Sequence, residues 1–229
     1  MNNAFITIIK TYKYRLKRKS TISFNLTSNI LIKKYQEQDG KCIFTGDKLS
    51  FKNNINKVSI SRINLQKDFT KENTQLVTRK VNYIRNHLRH DFNYVIKEIV
   101  KNCKIQDNLE YILHKFTRSQ QVYVNKLLNT CRLNCQKRKR KNRLRSAIFK
   151  INIDYIEILY SRQKGKCAYS GMDLSFQKMN KYKLSIDRID SDLGYTIDNI
   201  HLVCWIINQA KGNMSDYDFL RSIHKIYEK

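Results

Sequence analysis

SIDRIDSDLGYTIDNIHLVCWIINQAKGNM, Ser185 to Met214, is the stretch whose reading decides the fold. Ser185 to Ile189 alternates polar and apolar residues in strand fashion, and Ser191 to Gly194 is loop chemistry. Asn199 to Cys204 predicts a second strand. Trp205 to Lys211 has helical spacing, with Gly212 as a natural stop. A hairpin followed by a helix gathers polar groups. Asp187 lies on the first strand, Asn199 opens the second, and Asn208 and Lys211 sit one turn apart on the helix.

This ordered set resembles the HNH endonuclease family in its phage and mobile-element form. The carrying residues are Ser185-Ile186-Asp187-Arg188-Ile189-Asp190, then Gly194-Tyr195, Asn199, and Asn208 with Lys211. The upstream KCAYSG (Lys166 to Gly171) and the downstream Phe219 fit the same pattern, so the similarity covers about residues 146–228. The resemblance implies an α+β fold built on a ββα-metal unit, with Asp187 and Asn208 as metal ligands. It also implies hydrolysis of phosphodiester bonds.

Such a hydrolysis needs a polarised phosphate, a deprotonated water and a stabilised leaving oxygen, and one divalent ion can serve the first and third needs. Asp187 and Asn208 offer oxygen, which suits a single Mg²⁺ or Mn²⁺. Most of the family carries a histidine directly after the aspartate, as the base; here that position holds Arg188. Arginine stays protonated and cannot accept a proton, although it can clamp a phosphate. Two substitutes exist. His201 lies two residues past Asn199 on the same strand face, and Asp190 lies just beyond the first strand. The candidate catalytic set is therefore Asp187, Arg188, Asn199 and His201, with binding without cleavage as the other outcome. No zinc is expected: Cys167 is followed three residues later by Ser170 and Cys204 by Ile207, and two cysteines do not close a four-ligand site.

Working outward, the pattern occurs twice. GKCIFTGDKLSF at 40–51 aligns with GKCAYSGMDLSF at 165–176, with seven of twelve positions identical. KVSISRINLQKDFTKENTQLV at 57–77 aligns with KLSIDRIDSDLGYTIDNIHLV at 183–203, with nine of twenty-one identical. In the first copy Ser61 replaces the aspartate, Asn64 replaces Asp190, and Asp68-Phe69 replaces Gly-Tyr, whereas Arg62, Asn73 and Asn82 remain. Loss of the anionic ligand makes the first copy a non-catalytic binding module. The expected organisation is a degenerate module over 1–103, a helical, strongly basic linker over 104–145, and the fuller module over 146–229. Each module is expected to carry a helix before its hairpin, capped by Thr27 or Ser28 in the first copy. A closing helix follows: His90 to Cys103 in the first copy, and in the second one that starts at Ser215 with Asp218 and buries Phe219, Ile223 and Ile226.

The chain has 229 residues, enough for one or two domains with a real core, and carries 45 Lys and Arg against 19 Asp and Glu, a net +26. That surplus points to a polyanion, with DNA the expected partner and RNA the alternative. A basic arm precedes each module: Arg15, Lys17, Arg18 and Lys19 in the first, and Lys137, Arg138, Lys139, Arg140, Lys141, Arg143 and Arg145 in the second. With Arg62, Arg188 and Lys211 these form the expected phosphate-contacting set. No apolar run is long enough for a membrane span, so no membrane partner is expected. Scattered cysteines and the lack of a secretory signal suggest a reduced, intracellular compartment. The absence of Pro and the wealth of Asn, Ile and Lys suggest an AT-rich phage, viral or organellar genome. The leading function is an HNH-type endonuclease of the homing or mobile-element kind. The alternative is a nuclease-derived nucleic-acid-binding protein, for example an rRNA-binding part of an organellar ribosome.

Overall fold

The computed structural model describes residues 1–17, 21–54, 56–102 and 111–229. Arg18, Lys19 and Cys103 lie outside the described residues. The protein is mixed α+β, with two two-stranded antiparallel sheets among the described residues. The chain forms two compact units. One comprises Met1–Arg89 with Glu228–Lys229, and the other His90–Tyr227.

In the first unit, α1 (Asn2–Lys17) and α2 (Ser28–Glu37) precede the hairpin β1 (Val58–Arg62) and β2 (Thr74–Thr78), which leads into α3 (Arg79–Leu88). Thr27 caps α2, its hydroxyl accepting from Ile30 N. Arg15 and Lys17 of the expected basic arm lie on α1. α1 inserts Phe5, fully buried, against Tyr35 and Phe51. It also carries Tyr12 to the hairpin, where its hydroxyl lies 2.8 Å from Ser59 Oγ and donates to Ile60 O at 2.9 Å. Burial raises the Tyr12 pKa.

The second unit contains α4 (Phe92–Asn102), α5 (Arg118–Arg140), α6 (Ile153–Arg162), the hairpin β3 (Leu184–Arg188) and β4 (Ile200–Cys204), α7 (Trp205–Lys211) and α8 (Asp216–Tyr227). α4 packs on α8 inside this unit, although sequence position assigned it to the first module. The expected linker is structural too. Thr117 and Gln120 form a capping box for α5, and Val124, Leu128, Cys131 and Cys135 make one buried stripe along it. Tyr123 of α5 donates to Leu184 O of β3 at 2.9 Å. α8 begins as expected, with Ser215 Oγ accepting from Asp218 N, and it buries Phe219, Ile223 and Ile226.

The hairpin–helix pattern recurs residue for residue. Val58↔Thr78 through Arg62↔Thr74 corresponds to Leu184↔Cys204 through Arg188↔Ile200, at one offset throughout. The same side chains tie each hairpin down. Gln163 Nε2 donates to Lys166 O and Leu202 O while its Oε1 accepts from Leu202 N; Gln38 makes the same clamp to Lys41 O, Leu76 O and Leu76 N. Cys167 Sγ accepts from Cys204 N as Cys42 Sγ accepts from Thr78 N. Asn199 binds across the loop between the strands, accepting from Asp190 N and donating to Asp190 O and Gly194 O; Asn73 does the same with Asn64 and Asp68.

Every residue of β3 and β4 is buried, because helices cover the hairpin on both faces. The alternation read from the sequence therefore does not separate core from solvent, and the polar residues of these strands must find internal partners. Among the described residues no helix is long and apolar enough to cross a membrane.

The loop between β3 and β4 packs tightly on the segment before α6: a Cβ at Gly194 would stand 2.2 Å from Ile148 O. Gly194→Ala is expected to lower the stability of the second unit by about 1–3 kcal/mol. Urea unfolding followed through Trp205, the single tryptophan and a resident of α7, checks this.

Candidate functional site

The register of the second hairpin puts Asp187 directly opposite His201. His201 Nε2 lies 3.0 Å from Asp187 Oδ2. From the end of α7, Lys211 Nζ reaches the same oxygen at 3.0 Å, Asp216 Oδ1 at 3.1 Å and Arg188 O at 2.7 Å. The Tyr169 hydroxyl is 2.7 Å from Asp216 Oδ1 and 3.2 Å from Asp187 Oδ2, so its one proton serves two carboxylates. Its ring stands edge-on to His201 and Phe219. Asp187, His201 and Tyr169 are buried, and Lys211 has no exposed surface.

These contacts set the electrostatics. Burial pushes the Asp187 carboxyl up, but the His201 hydrogen bond and the Lys211 ammonium outweigh it and hold the pKa below the ordinary carboxylate value. Burial, followed by the negative charges of Asp187 and Asp216, raises the Tyr169 pKa. Tyr169 is therefore a donor and not a base at neutral pH. Asp187, His201 and Asp216 offer three ligand atoms within 4.8 Å of one another, a group that could hold a metal ion.

His201 also lines a cleft of about 760 Å³. Lys101, Arg162, Lys164 and Lys166 contribute four cations to its wall, against one carboxylate, Asp198. Arg162 Nε is buried without a hydrogen-bond partner among the described residues. The arrangement joins a histidine–carboxylate pair to a surface that attracts phosphate.

Of the residues expected from the sequence, Asp187 and His201 come together. Asn208 Nδ2 ties α7 to β3, donating to Ser185 Oγ at 2.8 Å and Ile186 O at 3.2 Å. Asn199 is engaged in pinning the loop. Arg188 corrects the phosphate-clamp expectation: it is buried, donates to Ser191 O and Leu193 O, and stacks 5.5 Å from the Tyr195 ring. Arg62 repeats this with Lys67 O and the Phe69 ring. Lys211 is likewise corrected, since a side chain without exposed surface cannot meet a phosphate backbone. Arg138 is half-buried, donating to Ser146 O beside the Tyr195 ring. Lys137, Lys139, Arg140, Lys141, Arg143 and Arg145 are exposed, as are Arg15 and Lys17.

Sequence reading missed Tyr169, Asp216 and the internal role of Lys211. The repeat held one signal. Arg85 occupies the place of Lys211 in the first unit and donates to Ser61 Oγ, Arg62 O and Ile63 O. A basic residue kept at that helix position in both copies is explained by a shared internal partner.

The chain matches no known family model, no curated protein and no solved structure.

Because the Asp187 pKa is lower folded than unfolded, its contribution to stability is present above the ordinary carboxylate pKa. It is lost as pH falls through the lowered folded value. Asp187→Asn is expected to remove that acid-limb dependence, as read by Trp205 unfolding curves across pH. At neutral pH it should destabilise the second unit by about 3 kcal/mol, the lower end of the range for a broken buried pair because Asp216 keeps Lys211 partnered.

Proposed function

We propose that the second unit is an HNH-type phosphodiesterase acting on nucleic acid, DNA being the expected polymer, and that the first unit binds without cutting. The observation that carries this reading is the His201–Asp187 pair, whose histidine lines a cleft walled by four cations. In it, His201 takes the proton of the attacking water. Asp187 orients the imidazole and stabilises the imidazolium that forms. Lys101, Arg162, Lys164 and Lys166 hold the phosphate and balance charge that develops on its oxygens. The first unit has Ser61 in place of Asp187 and Gln75 opposite it, so it offers neither carboxylate nor imidazole there.

A Mg²⁺ or Mn²⁺ ion would join this reading only with the Lys211 ammonium displaced; Asp187 and Asp216 would then hold it, and it would polarise the scissile phosphate, leaving His201 as base. The place between those two carboxylates is the one the Lys211 ammonium takes, and no step of the mechanism is routed through the ion. That ammonium favours a second reading, a nuclease-derived protein that binds nucleic acid without cleaving it.

Purified protein incubated with plasmid DNA, and separately with structured RNA, in Mg²⁺, in Mn²⁺ and in EDTA, tests the proposal. Cleavage is expected to fall at least about 100-fold in His201→Ala, the usual scale for a lost general base. Wild-type protein that binds but cleaves neither polymer under any of these conditions overturns the enzyme and favours the second reading.

In either reading the exposed cations at the end of α5 track phosphates. Replacing Lys139, Arg140 and Lys141 together by Ala is expected to reduce the slope of log K against log salt by roughly one for each phosphate left unneutralised. Titrations at several salt concentrations measure it.

A further inference from the structure

We infer that Lys211 is the resident cation of the Asp187–Asp216 group, so that a divalent ion is admitted only when this ammonium is removed. An ammonium has three protons to donate. Lys211 has three acceptors within hydrogen-bond distance: Arg188 O at 2.7 Å, Asp187 Oδ2 at 3.0 Å and Asp216 Oδ1 at 3.1 Å. It is fully satisfied with zero exposure. An ion bridging the same two carboxylates would stand where the nitrogen stands, and two cations there repel. Withdrawal of the lysine breaks three bonds and carries a charge through protein, because α7 is held on β3 and β4.

The first unit shows that the scaffold itself directs this side chain. Arg85, at the equivalent place on α3, donates to Arg62 O as Lys211 donates to Arg188 O. It does so with Ser61 beside it instead of a carboxylate. A basic side chain reaching the same strand carbonyl in both units is a property of the hairpin–helix geometry. In the second unit that geometry delivers the charge between Asp187 and Asp216, so the place between two carboxylates that could hold a metal ion is filled by a residue of the chain.

The inference does not rest on the phosphodiesterase reading, and its test reads metal binding instead of cleavage. Mn²⁺ binding is measured on the full chain by the loss of the free-ion electron paramagnetic resonance signal. Wild type is expected to bind no Mn²⁺ at this site at millimolar ion. Lys211→Met, of similar length but uncharged, is expected to gain one site that fills at millimolar ion, in line with removal of a like charge. Lys211→Met combined with Asp187→Asn is expected to lose that site again. Wild type binding one Mn²⁺ as tightly as Lys211→Met, or Lys211→Met folding by circular dichroism without gaining a site, overturns the inference.

Should Lys211→Met not fold, the wild type still decides. Its Lys211 ammonium is expected to give a slowly exchanging ¹⁵N–¹H resonance that persists in millimolar Mg²⁺. Disappearance of that resonance on adding Mg²⁺ overturns the inference. Absence of nuclease activity bears on the phosphodiesterase reading alone.

Discussion

A carboxylate on a strand covered on both faces has to be neutralised from within, and the second unit is arranged around that requirement. Asp187 is buried, and an isolated charge there would be costly. It is kept ionised by a cross-strand imidazole, a lysine from the following helix and a tyrosine hydroxyl. Each partner comes from a different part of the chain. The KCAYSG turn supplies Tyr169, β4 supplies His201, α7 supplies Lys211, and the start of α8 supplies Asp216 to share the lysine. One buried charge thereby fixes the meeting point of four segments.

The remaining polar residues of the unit keep that meeting point in register. Gln163 seals the end of α6 to β4, and Asn199 with Arg188 closes the loop by binding its carbonyls. Two of the polar positions expected to do chemistry, Arg188 and Asn199, hold backbone in place, and the Asn208 amide nitrogen binds Ser185 Oγ and Ile186 O. The parallel roles of Gln38, Asn73, Arg62 and Asn82 explain why these residues recur in a first unit that carries Ser61 in place of the aspartate. Architecture needs them in both copies, whereas a histidine–carboxylate pair exists in one.

The α5 helix illustrates how charge and packing divide a single element. Its Val124, Leu128, Cys131 and Cys135 face the core, while its last turn carries Lys137, Arg138, Lys139 and Arg140. Cations at a helix C-terminus meet the negative end of the macrodipole, so the basic run is stable as helix. Its composition read as a linker because the apolar stripe that docks it is only four residues long. Glu157 was hidden for a similar reason. It lies on the apolar side of α6, and its carboxylate accepts from Phe116 N and Lys115 Nζ, partners that periodicity cannot foresee.

By itself the sequence determined the two hairpins, the helix that follows each, their repetition and the caps of α2 and α8. Those depend on neighbouring residues and on internal similarity, both of which are written linearly. It also singled out Asp187 and His201 by residue type and strand spacing. Only the tertiary structure decided that Lys211 points inward, that Asp216 and Tyr169 join Asp187, and that Arg188 turns to its own loop. Those outcomes follow from burial of both strand faces, which removes solvent as a partner and leaves each charge to pair with whatever the packing brings within hydrogen-bond reach.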